Sequence, residues 1–205
     1  MNRYRYMEAY PRLFARFKMR LDPMFPEMEQ LFRSADDIKT ILDIGTGYGV
    51  PASWLLERFT GARLHGIEPS PERVRIAAMA VGDRGLIAQG HAPAIPEVGD
   101  QVDLSTMIDM VHFLTDADFA ETLDRLRGRT RDGGQLIIRA SLLPKRRLPW
   151  SWWYLKLILQ LSRISAYYRS VDQLQSMVVQ AGYQMEHTLA SGCDDELVWL
   201  IARKA

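Results

Sequence analysis

The sequence predicts an α/β fold built on a doubly wound, mostly parallel sheet, and three observations predict it. From residue 38 onward, short β-rich apolar runs alternate with stretches of helical character, the pattern left by βαβ units. The first run ends in a glycine-rich turn that opens a helix, which is how an open parallel sheet prepares its ligand end. The length of 205 residues suits one domain with a sizeable core and a cleft, and is short for two.

Taken in order, residues 40–44 form a strand and 51–59 a helix, 63–67 a strand and 71–81 a helix, and 85–89 a strand followed by a loop and a weak helix. Each run is short and apolar enough to lie buried between layers. Residues 102–108 give a fourth strand and 116–127 its helix. The turn Asp132-Gly133-Gly134 leads into a fifth strand over 135–140, its glycines supplying the backbone freedom of the turn. Residues 170–181 read as a helix stopped by Gly182, after which 183–189 and 196–202 close the fold as two strands joined around Ser191-Gly192. Two stretches fall outside the alternation: the N-terminal region to about residue 35, read as a helical cap, and an insertion over 142–168, placed to cap the same end of the 36–205 domain.

With 47% apolar and 25% charged residues the chain is ordinary globular material with no call for long disorder. Cys193 is the only cysteine, so no intramolecular disulfide can form and no paired thiol spacing marks a metal or redox site. The start is basic and aromatic with no apolar run behind it, unlike a secretory signal, and residues 155–164 are too short and interrupted to span a bilayer. A cytoplasmic location is expected. Charge is uneven: residues 1–20 carry six basic side chains against Glu8, and 144–170 carry six more with no carboxylate. Removing those twelve basic groups and one acid from the totals of 26 and 25 leaves 14 basic and 24 acidic groups, an acidic body with two basic segments.

The chemistry concentrates in Asp43-Ile44-Gly45-Thr46-Gly47-Tyr48-Gly49, where a buried strand meets a helix N-terminus. Missing side chains let backbone approach a ligand, and helix N–H groups face it. The spacing G-x-G-x-G differs from the dinucleotide fingerprint G-x-G-x-x-G, and Val50 stands where its third glycine belongs. Alone, the loop fits a tight strand-to-helix turn equally well. The second strand, however, runs into Glu68-Pro69, about 20 residues on, where a carboxylate can accept hydrogen bonds from a ribose diol. Glu68 is therefore the candidate ribose ligand.

With Val102-Asp103 opening the fourth strand and Asp132-Gly133-Gly134 before the fifth, this ordered set resembles the class I S-adenosylmethionine-dependent methyltransferase family over residues 38–205. The resemblance implies a Rossmann-like sheet of seven strands with the seventh antiparallel and inserted beside the fifth. It implies S-adenosyl-L-methionine as cofactor, with Gly45, Thr46 and Gly47 around its methionine part and Asp43 orienting the loop and the amino group. Met107, Ile108 and Asp109 correspond to the segment that closes over the cofactor, and Gly90, His91 and Ala92, after Gln89, to the segment beside the adenine. The family commonly has aspartate where this chain has His91; a neutral imidazole still offers a hydrogen bond there.

A catalytic base is less well marked. His112, four residues past the fourth strand, is the candidate, and a surface or capping histidine is its plainer reading. The four histidines are scattered, so no metal site is expected. Tyr4, Tyr6, Tyr10, Phe14 and Phe17 in the first cap, and Trp150, Trp152, Trp153 and Tyr154 in the second, are packing residues by default. Their position over the cleft suits a small hydrophobic acceptor. The basic residues beside them suit either an anionic, carrier-bound or lipid-like acceptor, or peripheral contact with an anionic membrane. No nucleic-acid partner is expected, since the basic residues form no reading motif. Two other readings stay open: a cofactor-binding protein of the same fold that transfers nothing, and a nicotinamide-dependent oxidoreductase.

Overall fold

A computed structural model describes residues 2–5, 7–33, 38–99, 101–142, 166–192 and 196–205. The aromatic run 150–154, the apolar stretch 155–164, Tyr6 and Cys193 lie outside the described residues.

Two helices lead the chain, α1 (Ala9–Leu21) and α2 (Met24–Leu31). The alternation follows as β1 (Thr40–Ile44), α3 (Val50–Arg58), β2 (Arg63–Glu68), α4 (Pro71–Val81), β3 (Gly85–Gln89), β4 (Val102–Ile108), α5 (Asp116–Arg129) and β5 (Thr130–Ser141). It ends with α6 (Val171–Gln180), β6 (Tyr183–Ala190) and β7 (Leu197–Lys204). One seven-stranded sheet results, in the order β3-β2-β1-β4-β5-β7-β6, with β7 antiparallel to both neighbours. The α/β class and the reversed seventh strand agree with the sequence expectation.

The inner strands are apolar on both faces because helices cover both faces, whereas the edge strands β3 and β6 are largely exposed. Ile41, Leu64, Leu104, Ile137, Trp199 and Ile201 belong to one core with α2, α3 and α4. Their chain neighbours Leu42, Leu136, Ile138, Val198 and Leu200 belong to the other, with Phe119, Leu123 and Leu126 of α5 and Leu174 and Val178 of α6. The period of two along each strand divides the layers.

Helix ends follow ordinary capping chemistry. Ser70 and Thr115 accept from the third backbone N–H of α4 and α5, and Ser170 with Gln173 forms a reciprocal capping box on α6. Arg3 donates to the carbonyls of Ala80 and Val81, so one basic residue of the N-terminal segment caps the end of α4.

Two details depart from expectation. Residues 90–99 contain turns and no helix; Pro93 and Pro96 remove donors and Gly99 adds freedom, so helical hydrogen bonding is interrupted every third residue. Asp132-Gly133-Gly134 does not precede the fifth strand but interrupts it: Thr130 pairs with Val102, Gln135 pairs with Leu104, and the residues between bulge out. Gly134 is packed so closely that a Cβ would fall 2.9 Å from the Arg131 carbonyl oxygen. Asp103 serves at this lower edge, accepting from the backbone N–H groups of Lys39 and Thr40 and pairing with Arg131. Burial would raise its pKa, but the hydrogen bond from Arg131 and those from the two backbone groups hold it below the usual carboxylate range.

Candidate functional site

The strand order reverses between β1 and β4, which opens a crevice beyond their carboxyl ends. A cavity of about 630 Å³ occupies it. Gly45, Thr46, Gly47, Glu68, Pro69, Gly90, His91, Ala92, Ile108 and Asp109 all line it, brought from the ends of four strands. Asp43, Met107 and His112 do not.

The β1–α3 loop turns because its glycines adopt left-handed backbone, Gly45 at φ +78° and Gly47 at φ +59°. A Cβ on Gly45 would lie 2.9 Å from Met110, whereas one on Gly47 would meet nothing within 4 Å, since that residue faces the cavity. Glu68, only 3% exposed, accepts from Gly47 N–H at 3.0 Å through Oε2 and from Ser70 N–H at 3.1 Å through Oε1. The second strand's acid thus fixes the first strand's loop. A carboxylate offers about four lone-pair sites, and two remain for a ligand.

Asp43 lies beneath the loop, fully buried, accepting from Thr106 Oγ1 at 2.7 Å. Burial is the main cause that pushes its carboxyl up to about 6; the nearby charge of Glu68 adds to this, and the hydroxyls of Thr106 and Thr46 oppose it. Met107 is core, packed on the second face of the sheet. His91 places Nδ1 3.0 Å from the Ala92 carbonyl oxygen. In a neutral ring that nitrogen must be the donor, which leaves Nε2 an acceptor.

His112 sits in a 3₁₀ turn, Val111–Phe113, stacked on Tyr168 with ring centroids 5.7 Å apart. Burial lowers its pKa, and the charge of Asp109 only partly offsets that, which favours the neutral ring. Its Nδ1 is buried without a hydrogen-bond partner. Its neighbours Phe113 and Leu114 line the cavity in its place.

The remaining wall is aromatic and charged. Tyr10 and Phe14 of α1 pack on Tyr48, at 5.9 and 5.1 Å between ring centroids, and Arg73 lies over the Tyr48 ring. Beside them is a network that sequence inspection missed. Arg139, 2% exposed near the carboxyl end of β5, pairs with Asp22 and with Asp109, and its Nε donates to Ser191. Lys18 Nζ donates to Asp22 and Asp109 at 3.0 Å each. Glu27 of α2 accepts from Ser191, Gly192 N–H and Trp199 Nε1. Asp109 holds left-handed backbone at φ +55°, which is strained for a residue with a side chain. The signal available in the sequence was a single arginine inside the apolar run 136–140, since a buried cation requires partners. No group of three metal-ligating side chains occurs among the described residues.

In its fold and in the placing of this crevice the chain is similar to Rossmann-like methyltransferases of known structure. Residues 41–134 match the methyltransferase-domain family. A phenazine O-methyltransferase of Lysobacter antibioticus is 31% identical over 163 residues, covering 75% of this chain and 46% of that protein. An S-adenosylmethionine-dependent methyltransferase from Mesorhizobium loti superposes with a TM-score of 0.72 at 16% identity, over 89% of this chain and 98% of that one. A methyltransferase of calicheamicin biosynthesis, in its S-adenosylhomocysteine-bound form, superposes with a TM-score of 0.63 at 17% identity, over 89% and 54%. These matches are all to methyltransferases, and they support a class I S-adenosylmethionine-dependent methyltransferase family for this chain. It spans about half the length of the curated relatives it matches, between 45% and 60%.

Proposed function

We propose that this chain transfers a methyl group from S-adenosyl-L-methionine to a nucleophile, most simply an oxygen, on a small hydrophobic acceptor. The observation that carries the reading is the Glu68 carboxylate, buried at the cavity wall and held by Gly47 and Ser70 with acceptor capacity to spare. When bound, the cofactor supplies a methyl group on a positively charged sulfur, ready for in-line displacement.

The chain's own residues do the holding. Glu68 accepts from the ribose diol, and the exposed face of Gly47 leaves room for the methionine part. His91, with Nε2 left as an acceptor, would be the residue to receive a hydrogen bond from an exocyclic amine. Asp43 stands behind the loop, where a ligand cation would favour its ionised form. Positive charge disperses as the reaction proceeds, so alignment and exclusion of water by Tyr10, Phe14, Tyr48 and Phe113 supply much of the rate. A neutral His112 outside the cavity is consistent with a reaction that needs no base beyond water. The choice of oxygen is supported by the name of the phenazine relative.

Calorimetric titration with S-adenosylhomocysteine tests the donor half. Binding by the intact chain that Gly47→Arg abolishes is the expected result. No binding, or the same binding after Gly47→Arg, would overturn it. No described helix is long and apolar enough to cross a membrane, and a small diffusing acceptor requires none.

A further inference from the structure

We propose that a second, groove-like depression along α1 is the acceptor site, that it takes a flat aromatic molecule bearing an ionisable hydroxyl, and that Lys18 positions that oxygen. The proposal rests on the donor reading above and adds a place, a ligand class and a residue to it.

The groove holds about 870 Å³ between α1 and the ends of β4, β5 and β7. Tyr10, Leu13, Phe14, Phe17 and Leu21 form its long wall. Their spacing puts them on one face of the helix, as an amphipathic helix places residues it means to bury. Yet Tyr10 is 65%, Phe17 57% and Leu21 74% exposed among the described residues. A contiguous exposed apolar face of this kind marks a binding site, and three aromatic rings along it favour a planar partner that stacks. Aliphatic chains would gain area there but no ring geometry.

The groove and the donor cavity share Tyr10, Phe14, Lys18 and Asp109. The two are therefore contiguous, and Lys18 stands at their junction. Its ammonium has three N–H groups, of which Asp22 and Asp109 take two. Arg139 is buried and committed to the same two carboxylates, whereas the Lys18 side chain keeps one fifth of its surface exposed. The third Lys18 N–H is thus the donor available to a ligand oxygen at the junction. A cation beside a hydroxyl lowers that hydroxyl's pKa, so the proton passes to water and the oxygen is held ionised. His112 lies outside both hollows, which leaves this task to Lys18.

The test is a fluorescence titration of 2-naphthol, with naphthalene and decanoate as competitors, against the whole chain saturated with S-adenosylhomocysteine. We expect 2-naphthol to bind about tenfold more tightly than either competitor, naphthalene lacking the oxygen and decanoate the ring. Phe17→Asp should weaken 2-naphthol by about tenfold or more with S-adenosylhomocysteine affinity unchanged, because Phe17 lines only the groove. Lys18→Met should erase the preference over naphthalene and raise by about one unit the pH at which bound 2-naphthol ionises, with Lys18→Arg restoring most of both. Naphthol binding indifferent to Phe17→Asp, a preference that survives Lys18→Met, or tighter binding of decanoate would each overturn the proposal. Groove-dependent naphthol binding by a chain that ignores S-adenosylhomocysteine would uphold the groove and remove the donor reading alone.

Discussion

The two ends of the crevice are built by different means. On the β1–β2 side, the cavity is made by backbone: positive-φ glycines, N–H groups and one carboxylate contributed by residues about 20 apart in the chain. On the β4–β5 side, it is made by side chains that meet across the whole sequence, Lys18 and Asp22 from α1 and its end, Asp109 from β4, Arg139 from β5 and Ser191 from the β6–β7 connection. On the donor reading proposed above, the first construction would take any ligand that presents a ribose and an amino acid. The second depends on each partner, so it can be altered without disturbing the first.

The largest effect should therefore come from the charged side. Arg139→Ala leaves Asp22 and Asp109 with Lys18 as their only cation among the described residues, and breaking a buried pair in this way costs about 3–5 kcal/mol. Urea denaturation should show that loss. Arg139→Lys should recover little, because the three N–H groups of an ammonium radiate from one nitrogen, whereas the guanidinium reaches Ser191, Asp109 and Asp22 from three separate nitrogens. A loss below about 1 kcal/mol would show the network to be surface-like and would erase the contrast.

Asp43 sharpens the same comparison from the backbone side. Its carboxyl is pushed up to about 6 in the folded chain from 3.8. The folded state thus holds the proton more tightly than the unfolded one, so this residue's contribution to stability is full below about pH 4 and is lost as pH rises through about 6. The loss approaches roughly 3 kcal/mol, at 1.36 kcal/mol per unit. Asp43→Asn should accordingly be more stable than the parent above pH 6 and equal to it near pH 4, when the two are compared across that range by denaturation. S-adenosylmethionine affinity should fall in the same variant. A stability gain joined to an affinity loss is the mark of a group kept for binding.

Glu68→Gln should cost about 2 kcal/mol of S-adenosylhomocysteine affinity, roughly thirtyfold by calorimetry, because one charged acceptor becomes a donor facing Gly47 N–H or the diol. An unchanged affinity would place the ribose elsewhere.

Where structure was legible in the sequence, the signal was local. The boundaries of β1, α4, β3 and β4 coincide with the apolar runs and their proline or glycine stops. The glycine loop and Glu68 were legible because strand ends at the right separation must meet in a parallel sheet. The bulge at Asp132-Gly133-Gly134 was not, since a turn and a bulge use the same residues. Asp103 matched a family motif and proved to tie the lower edge of the sheet to residues 39 and 40. Lys18, Asp22, Asp109 and Arg139 were invisible as a group, because ion pairs across up to 117 positions leave no periodicity. Of the basic side chains of residues 1–20, Arg3 donates to a carbonyl at the end of α4 and Lys18 to Asp109, pairings across the sequence that composition does not reveal.

The smallest predicted effect decides whether the apolar face of α1 belongs to the fold or to a ligand. Leu21 is 74% exposed and Phe25, a turn later in α2, is 6% exposed, although both are large apolar residues in the N-terminal helices. A side chain contributes to stability by the area it removes from water, at about 25 cal/mol per Å². Phe25→Ala should therefore cost about 3 kcal/mol or more, as buried aromatic truncations do. Leu21→Gln should stay within about 0.5 kcal/mol, as for surface substitutions that break no contact. Denaturation of both in the absence of ligand makes the comparison. If Leu21→Gln costs as much as Phe25→Ala, the face is covered by the chain itself and the groove is core. If it is neutral alone but lowers the stabilisation gained on adding 2-naphthol, the same leucine is idle in the fold and engaged in binding, which is what an acceptor wall requires.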